Sequence, residues 1–396
     1  MSDTTGAAPR AGQPTGRPSD QLTDELADDL AGELGMAATP QPEDPARTLV
    51  VVAGSGRSGT SLMSGILKQT GLHVPQPEVS ADRTNPKGFG EPQWVVDFHD
   101  RVLKRVNVHP GDARPSAWYD TGKAGTREAN RQRVTDWLGR QFEESPSLVV
   151  KDPRIAWFLG LWRVAAARND ARTATITMLR PPAEVVASKN TYYGGRLGDI
   201  SRLAGWTNVM LFTERATRST PRSFVAYHDL LDDWTRTVVG VGEQLALPEV
   251  TGAGLRALQE IHQLVDPGLH RVRATWDDLD VPASLRELAA ETWEQLSPLV
   301  DPAEDTPERH RTLDELRRAY ADLYAEAEAL ADSSIAAAGP AAVRRAEQER
   351  ADRQGAAPAG PAVGGAPEDG SAVRRAYLRT RRLAGRVVRG AGRERR

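Results

Sequence analysis

The amino-acid sequence predicts an α/β fold, in which helices cover a central parallel sheet, followed by a helical C-terminal region. Two observations carry this prediction. Short apolar runs rich in β-branched residues alternate with longer stretches of helical periodicity, which is typical of a parallel sheet with helices on both faces. From about residue 253 to residue 336 the pattern is wholly helical.

The apolar runs predict four strands. The first, Thr48–Ala53, is interpreted as a buried strand from its length and β-branched content, and glycine-rich sequence ends it. The other three predicted strands are Ser147–Val150, Thr173–Leu179 and Arg222–Tyr227.

The helices follow the strands in the order that a parallel sheet requires. The first is predicted over Thr60–Gln69, and Gly71 is its stop signal. Further helices are predicted near residues 127–144, 155–168, 182–191, 202–218 and 229–245.

One folded unit and two oppositely charged tails account for the 396 residues. Residues 47–339 are predicted to form the folded domain. Residues 1–46 contain nine acidic residues and two arginines, which predicts a disordered acidic tail with a short amphipathic helix near Leu22–Leu34. Residues 340–396 are predicted to form a flexible linker and an Arg-rich C-terminal tail, since ten arginines lie between residues 374 and 396.

The composition excludes several kinds of chemistry. The chain has no cysteine, which rules out disulfides, thiolate catalysis and cysteine metal sites. A net charge of -3 argues against nucleic-acid binding by the folded unit. Because no segment has the roughly 18 apolar residues of a membrane span and the N-terminus lacks a secretory pattern, we expect a cytoplasmic protein.

A glycine-rich turn, GSGRSGTS at Gly54–Ser61, joins the first predicted strand to the first helix. Glycines let the backbone adopt positive φ and approach a ligand closely. The amides and dipole of a helix N-terminus attract anions, and Ser58, Thr60 and Ser61 add hydroxyl donors. The turn is therefore predicted to bind a phosphate-like group.

Two familiar nucleotide-binding patterns fit this turn incompletely. Gly54, Gly56 and Gly59 match the GxGxxG spacing of dinucleotide-binding turns. The acid required about 20 residues later is missing, because Glu78 lies in a proline-rich stretch that makes a poor strand end. In the triphosphatase pattern, Thr60 replaces the lysine that reaches the terminal phosphates.

A third interpretation keeps the P-loop-like turn and places its cation at Arg57. The sequence Arg57-Ser58-Gly59-Thr60-Ser61 resembles the phosphosulfate-binding loop of sulfotransferases that use 3′-phosphoadenosine 5′-phosphosulfate (PAPS), in which a basic residue precedes Ser-Gly-Thr. The resemblance implies a P-loop-like fold. It also implies donor contacts from Gly56, Arg57, Ser58, Gly59, Thr60 and Ser61.

A second motif supports the same resemblance. In the family, an arginine at the end of a later strand and a serine eight residues on bind the 3′-phosphate of the donor. Here Arg180 follows the predicted strand Thr173–Leu179, and Ser188 lies eight residues after it. A planar guanidinium suits a dianion. The resemblance thus implies two separate contacts with a single nucleotide.

Two further segments fit the family. Lys151-Asp152-Pro153-Arg154, directly after the second predicted strand, resembles a recurrent element of bacterial members. Phe224–Leu231 is similar to the family's strand-then-helix segment that ends with an acid before leucine. The resemblance extends over about residues 48–235 and includes no motif after residue 250.

The resemblance also implies a catalytic base. Asn85–Glu91 resembles the acceptor-side stretch of the carbohydrate-type branch, in which a glutamate is the base, and Glu91 matches it by position. The alternative is that Glu91 only charges the first turn of a helix beginning near Pro92. His99 is a second candidate base, since another branch uses histidine. Arg57 is expected to stabilise charge on the leaving phosphate.

Taken together, these features predict a sulfotransferase that moves a sulfuryl group from PAPS to a hydroxyl of a carbohydrate or glycolipid. PAPS is then a co-substrate, and neither a metal nor a nucleic-acid partner is expected. Two other classes stay open: a nucleotide-binding kinase or NTPase of P-loop fold, and a non-enzymatic scaffold on that fold. Thr60 argues against the former, and Arg57, Arg180 and Ser188 argue against the latter.

The basic C-terminal tail has three interpretations that the sequence leaves open. It is a disordered cationic tail, a peripheral contact with anionic lipid at the inner membrane face, or a partner of the acidic Leu22–Leu34 helix. Five aromatic residues near the motifs are expected to belong to the core more often than to an acceptor site: Trp94, Trp118, Tyr119, Trp157 and Trp162.

Overall fold

The computed structural model describes residues 46–355, except residues 83–84, 86, 195–196, 267 and 269–271. The predictions for the acidic N-terminal tail up to residue 45 and for the Arg-rich tail from residue 356 lie outside the described residues. The chain divides into a first compact unit that ends at Leu330 and a second that begins at Ala331.

Four parallel strands form the sheet in the order β2-β1-β3-β4. They are β1 (Arg47–Ala53), β2 (Ser147–Lys151), β3 (Ala171–Leu179) and β4 (Arg222–Ala226). The prediction of a central parallel sheet flanked by helices is confirmed. Each strand begins and ends within two residues of its predicted bounds.

Helices connect and follow the strands. In chain order they are α1 (Thr60–Gln69), α2 (Gln93–Val106), α3 (Ala117–Gly125), α4 (Glu128–Glu144), α5 (Leu159–Ala167), α6 (Pro182–Tyr193), α7 (Asp199–Thr217), α8 (Tyr227–Asp232), α9 (Trp234–Gln244), α10 (Pro248–Thr251), α11 (Leu255–Leu264), α12 (Ala283–Leu296) and α13 (Pro307–Gly355). Short 3₁₀ turns lie at Ile155–Phe158, Trp276–Asp278, Ser297–Val300 and Pro302–Glu304.

The C-terminal region is helical, as predicted, but not throughout. Residues 272–275 have no regular structure and separate α11 from α12, although the sequence predicts helix there. The last helix extends to Gly355, past the predicted boundary at residue 339. The extent of the folded domain therefore stays a prediction. Within the described residues, none of the helices is both long and apolar enough to cross a membrane.

The two faces of β1 contribute to two different cores, because successive strand side chains point to opposite faces. Leu49 and Val51 are buried in a cluster with residues of α2, α4 and α5. Val50 and Val52 are buried in a second cluster with residues of α1 and α9. A third cluster joins Leu179 to residues of α6, α7, α12 and α13.

The strand order creates a switch point between β1 and β3. The register pairs Leu49 with Thr173 and Val51 with Thr175, so Leu179, of the same parity, lies on the Leu49 face. The helix after β3 packs against Leu179 on this face, whereas the helix after β1 packs on the opposite face. In parallel α/β sheets, ligands bind in the crevice that such a divergence leaves at the carboxyl ends of the strands.

Candidate functional site

A cavity of about 650 Å³ lies at the carboxyl edge of the sheet and is lined by residues that follow β1, β2 and β3. Most of the site residues predicted from the sequence line it. These are Gly56, Arg57, Gly59, Thr60, Ser61, Glu91, Arg180 and Ser188. Ser58 is the exception. This residue of the turn is buried, and its hydroxyl has no hydrogen-bond partner among the described residues.

The backbone of the glycine-rich turn is constrained at three positions. Gly54 has φ 124° and Gly59 has φ 88°. A Cβ at Gly59 would lie 2.3 Å from Cδ2 of Tyr227, so no larger residue fits there. Arg57 also has a positive φ of 76° although it is not glycine. Such a conformation costs about 1–2 kcal/mol, so the surroundings of Arg57 must hold it in place.

The first turn of α1 is open to an anion. This helix begins at Thr60 after Gly59, and no side chain caps its N-terminus. The amides of a first turn have no partner within the helix itself. Because Thr60 and Ser61 line the cavity, the positive end of this helix faces the space where a ligand would lie.

Arg57 connects the two predicted motifs. Its Nε donates a hydrogen bond of 3.2 Å to Oγ of Ser188. Its backbone carbonyl accepts a hydrogen bond of 3.0 Å from Nη1 of Arg180. The guanidinium also lies over the ring of Tyr192, 4.1 Å from the ring centroid. The turn after β1 and the motif after β3 are therefore in direct contact.

Three acceptors of the protein hold Arg180, whose side chain is buried. Besides the Arg57 carbonyl, they are Oε2 of Glu184, 2.9 Å from Nε, and the carbonyl of Val272, 2.9 Å from Nη2. The guanidinium packs over the ring of Tyr227, 4.9 Å from its centroid. Val272 belongs to the irregular segment that the sequence predicts as helix, so this contact was not predictable from the sequence.

A buried lysine links the predicted base to the turn. Nζ of Lys151, at the end of β2, lies 2.5 Å from Oε1 of Glu91 and 3.1 Å from Oγ of Ser61. Both charged side chains are at least nine-tenths buried. Burial raises the pKa of Glu91 above its usual value of 4.5, and the positive charge of Lys151 only partly opposes this effect.

The structure gives His99 a place in the core. Its ring is fully buried, Nδ1 lies 2.7 Å from Oδ2 of Asp152, and Nε2 accepts a hydrogen bond of 2.9 Å from Nε1 of Trp162. The proton of the neutral ring therefore lies on Nδ1 and is donated to Asp152. Both nitrogens are occupied and the residue does not line the cavity, so the structure does not support His99 as the base.

Asp152 is held as a carboxylate in the same network. Burial acts to raise its pKa, but the hydrogen bond from His99 and the charge of Arg154 outweigh burial and hold the pKa below its usual value of 3.8. Oδ1 of Asp152 accepts from the backbone amide and from Nη1 of Arg154 at 3.0 Å and 2.9 Å. This network fixes Arg154, which lines the cavity.

Positive charge dominates the cavity wall. Among the described residues, one carboxylate, that of Glu91, and seven cationic side chains line it. The cations are Arg57, Lys87, Lys151, Arg154, Arg180, Lys189 and Arg202. Sequence reasoning missed Lys189 and Arg202. The signal for Lys189 was its position directly after Ser188 as one of only six lysines, whereas Arg202 carried no signal in a chain rich in arginine.

Other expectations concern metals and aromatic residues. Within the described part of the chain, no three His, Asp or Glu side chains converge as metal ligands would. The four tryptophans near the motifs pack against other aromatic rings, whereas the expectation of a core position is wrong for Tyr119, which is exposed at 41%. Trp118 lies 4.1 Å from Trp157 and 4.5 Å from Phe212, measured between ring centroids. Trp94 and Trp162 both contact Trp137.

Comparison with known proteins yields structural likeness alone. No family model matches the chain, and no curated protein matches it. The sulfotransferase domain of the Synechococcus PCC 7002 olefin synthase is 17% identical, over 65% of this chain and 98% of that one, with a TM-score of 0.36. The sulfotransferase domain from the curacin biosynthetic pathway is 15% identical, over 64% and 99%, with a TM-score of 0.35.

The sulfotransferase STF1 from Mycobacterium tuberculosis H37Rv is 16% identical, over 62% of this chain and 78% of that one, with a TM-score of 0.29. At these identities and TM-scores the likenesses assign no activity or ligand to the chain.

Proposed function

We propose that the chain is a PAPS-dependent sulfotransferase that acts on a hydroxyl of a carbohydrate or glycolipid. One observation carries the proposal: two motifs expected to bind opposite ends of the donor are in direct contact in one cavity. Arg57 donates from Nε to Oγ of Ser188 over 3.2 Å, and Arg180 donates from Nη1 to the Arg57 carbonyl over 3.0 Å.

The charge of the cavity supports a polyanionic donor. Seven cationic side chains and one carboxylate line the cavity among the described residues. Three of the cations pair with acids of the protein, and the remaining positive charge favours an anionic ligand. In this proposal the turn at Arg57 and the first amides of α1 bind the 5′-phosphosulfate. Ser188 and Arg180 bind the 3′-phosphate, and a phosphate oxygen replaces a carbonyl partner of Arg180 with a stronger, charge-assisted hydrogen bond.

The proposed reaction is an in-line transfer. The acceptor hydroxyl oxygen attacks sulfur, and the new S–O bond forms as the S–O bond to the 5′-phosphate breaks. The electron pair of the broken bond stays on the phosphate oxygen, where Arg57 and the amides of the turn stabilise it. The acceptor proton goes to Glu91. The products are a sulfate ester and adenosine 3′,5′-bisphosphate, and positioning within the cavity supplies much of the remaining acceleration.

Glu91 has the environment that a general base requires. It lines the cavity, and burial raises its pKa toward the range in which a carboxylate accepts a proton efficiently. Lys151 holds one carboxylate oxygen, Oε1, at 2.5 Å. This contact fixes the orientation of the carboxylate, so the acceptor hydroxyl meets it in a defined geometry.

The deciding experiment compares nucleotides. We expect adenosine 3′,5′-bisphosphate to stabilise the protein against thermal unfolding more than ATP or NAD does, since it alone carries the 3′-phosphate. Ligand at about 100 times its Kd adds about 2.7 kcal/mol to the free energy of unfolding. ATP is the main competitor, because Lys151 brings an ammonium group to within 3.1 Å of Ser61 in the turn.

Stabilisation by ATP or NAD in preference to the bisphosphate would contradict the proposal. Transfer of ³⁵S from labelled PAPS to fractionated cell glycans and lipids then identifies the acceptor. Heat-inactivated protein is the control for non-enzymatic labelling.

A further inference from the structure

Lys189 is a cation of the cavity that the proposed mechanism does not use. It lies on α6 directly after Ser188, is half-buried and lines the cavity. Its Nζ donates a hydrogen bond of 3.0 Å to Oγ of Ser55, which is a neutral hydroxyl. Burial, with a smaller contribution from the charge of Arg202, lowers the pKa of Lys189 to about 8, so the side chain is still a cation at neutral pH.

Arg202 lies on α7 and lines the same cavity. It contacts Gly194, the residue directly after α6, the helix that carries Lys189. Its side chain is buried, with 6% of its surface exposed. Nε donates 2.9 Å to the carbonyl of Leu197, and Nη2 donates 2.5 Å to the carbonyl of Gly194. Both acceptors are neutral groups, so they satisfy hydrogen bonds without cancelling the charge.

The Lys189–Arg202 pair differs from three other cations of the cavity in having no acidic partner among the described residues. These three pair with an acid as follows: Lys151 with Glu91 at 2.5 Å, Arg154 with Asp152 at 2.9 Å, and Arg180 with Glu184 at 2.9 Å. Of the remaining two cations, Arg57 belongs to the proposed donor turn and Lys87 is exposed to solvent. A buried cation and a half-buried cation in one cavity wall, both with neutral hydrogen-bond acceptors, are costly unless an anion joins them.

His109 is a further polar residue in the cavity that holds the Lys189–Arg202 pair and the proposed base. Burial lowers the pKa of His109, against the opposing charge of Asp112, and the charges of Lys189 and Arg154 act in the same direction as burial. His109 lines the same cavity as both of these cations. Its Nδ1 accepts a hydrogen bond of 3.1 Å from the amide of Gly111, which leaves the proton of the neutral ring on Nε2.

The charge of Arg154 also acts on Glu91. Lys189, Arg202, His109 and Arg154 line the same cavity as Glu91, the carboxylate that is proposed to take the acceptor proton. An acceptor held by an anionic group at the pair can present a hydroxyl to Glu91.

We propose that Lys189 and Arg202 form a subsite for an oxyanion carried by the acceptor, such as a carboxylate, phosphate or sulfate group. The acceptor is then an acidic carbohydrate or glycolipid. This inference rests on the proposed function, since it assigns the acceptor side of the same cavity. The two anionic ends of the donor already have their own contacts, at the turn and at Arg180 with Ser188.

The alternative occupant of this subsite is the sulfuryl group of PAPS, which is also an oxyanion. Two complexes distinguish an oxyanion of the acceptor from the sulfuryl group of the donor. Inorganic sulfate is titrated by calorimetry into protein saturated with adenosine 3′,5′-bisphosphate and into protein saturated with PAPS. A subsite for the acceptor binds sulfate in both complexes. A subsite for the donor's sulfuryl group binds sulfate only beside the bisphosphate, because PAPS fills that position itself.

Variants connect the sulfate binding to the pair. Lys189→Met is expected to weaken sulfate binding about tenfold in both complexes, through loss of one charge-assisted contact, while Lys189→Arg retains most of it. Lys123→Met is the control, since it removes the same charge from an exposed position on α3. The affinity of each variant for the bisphosphate reports that it is folded.

Three results would overturn the subsite: no sulfate binding to the bisphosphate complex, sulfate binding that PAPS abolishes, or equal binding by Lys189→Met and the unaltered protein. Failure of the bisphosphate itself to bind overturns the proposed function instead. That failure is seen before any sulfate is added, so the two are distinguishable.

Discussion

Arg57 donates a hydrogen bond of 3.2 Å from Nε to Oγ of Ser188, although the two residues are 131 positions apart in the chain. The contact joins the turn after β1 to α6, the helix that follows β3. Both residues belong to the proposed donor site, at opposite ends of the nucleotide. Because they are adjacent, a substitution in one of the two motifs tests whether nucleotide binding at the other motif changes as well.

Ser188→Ala tests the 3′-phosphate contact. We expect about tenfold weaker binding of adenosine 3′,5′-bisphosphate, since one hydrogen bond to a charged group contributes about 1.5 kcal/mol. Binding of adenosine 5′-monophosphate, which lacks the 3′-phosphate, is expected to stay unchanged, because Arg57 keeps its contact with the ring of Tyr192. Calorimetry measures both affinities, and equal losses for the two nucleotides would contradict the assignment.

Alanine substitutions are expected to show which glycines of the turn are required for stability and which one is not. Gly59→Ala places a Cβ 2.3 Å from the Tyr227 ring at φ 88°, and Gly54→Ala places one 2.7 Å from the carbonyl of Met178 at φ 124°. Each is expected to lower the free energy of unfolding by about 2 kcal/mol or more.

Gly56→Ala is the matched control in the same turn, because its Cβ would lie 3.7 Å from Pro153, at an ordinary contact distance. Urea denaturation measures all three variants. A loss in Gly56→Ala as large as in the other two would show that the strain at Gly54 and Gly59 is not the cause.

Glu91→Gln tests the base. Turnover is expected to fall at least about 100-fold, the contribution typical of general base catalysis, while affinity for the bisphosphate is retained. Because the raised pKa of Glu91 lies above 4.5, the activity of the unaltered protein falls as the pH drops through that pKa and the carboxylate becomes protonated. Initial rates of ³⁵S transfer across pH measure this, and undiminished turnover in the variant would remove Glu91 from the mechanism.

The same residue makes a prediction about stability. Glu91→Ala leaves the buried ammonium of Lys151 without its anionic partner, and loss of one member of a buried pair costs about 3–5 kcal/mol. Glu91→Gln keeps an oxygen that can accept from Lys151, so its loss is expected to be smaller. Urea unfolding at neutral pH compares the two, and equal losses would mean that the Lys151 contact adds little to stability.

Protonation of Asp152 is expected to account for part of the fall in the free energy of unfolding at acid pH. The pKa of Asp152 in the folded chain is held below its usual 3.8, so folding favours the carboxylate. The resulting stabilisation is fully present above the usual pKa and is lost as the pH falls below about 4.

Urea unfolding between pH 2 and 5 measures this loss, and Asp152→Asn is the comparison. The variant should lack the Asp152 share of the pH dependence, while other carboxylates titrate in both proteins. Identical pH dependence in the two proteins would contradict the low pKa.

Local signals made part of the structure predictable. The helix bounds Thr60–Gln69 were predicted correctly, since a glycine-rich turn precedes the helix and Gly71 follows it. The strands were short, apolar and bounded by breakers. The helix Ala117–Gly125 was missed, because it is only nine residues long and its packing depends on contacts made elsewhere in the chain.

The partners of the site residues depend on contacts between distant segments, which periodicity does not encode. The sequence predicted Arg180 as a ligand. It gave no sign that Glu184 and the Val272 carbonyl hold this side chain. His99 is a candidate base from the sequence because another branch of the family uses histidine, yet the tertiary fold places it against Asp152 and Trp162. Lys189 stands out because no acid pairs with it among the described residues. Whether an acid lies beside a lysine is decided by the tertiary fold, so the sequence could not single out Lys189.

The parallel pairing of β1 with β3 runs from Arg47 opposite Ala171 to Ala53 opposite Thr177. Adjacent strands stand about 4.8 Å apart and resist sliding, so the groups carried just beyond their ends keep a constant separation. The sheet thus fixes the distance between the two proposed phosphate sites and selects nucleotides by the spacing of their charged groups. A nucleotide whose two charged ends are spaced differently, such as the 2′,5′ isomer of the bisphosphate, meets a mismatch that no hinge within this strand pair relieves.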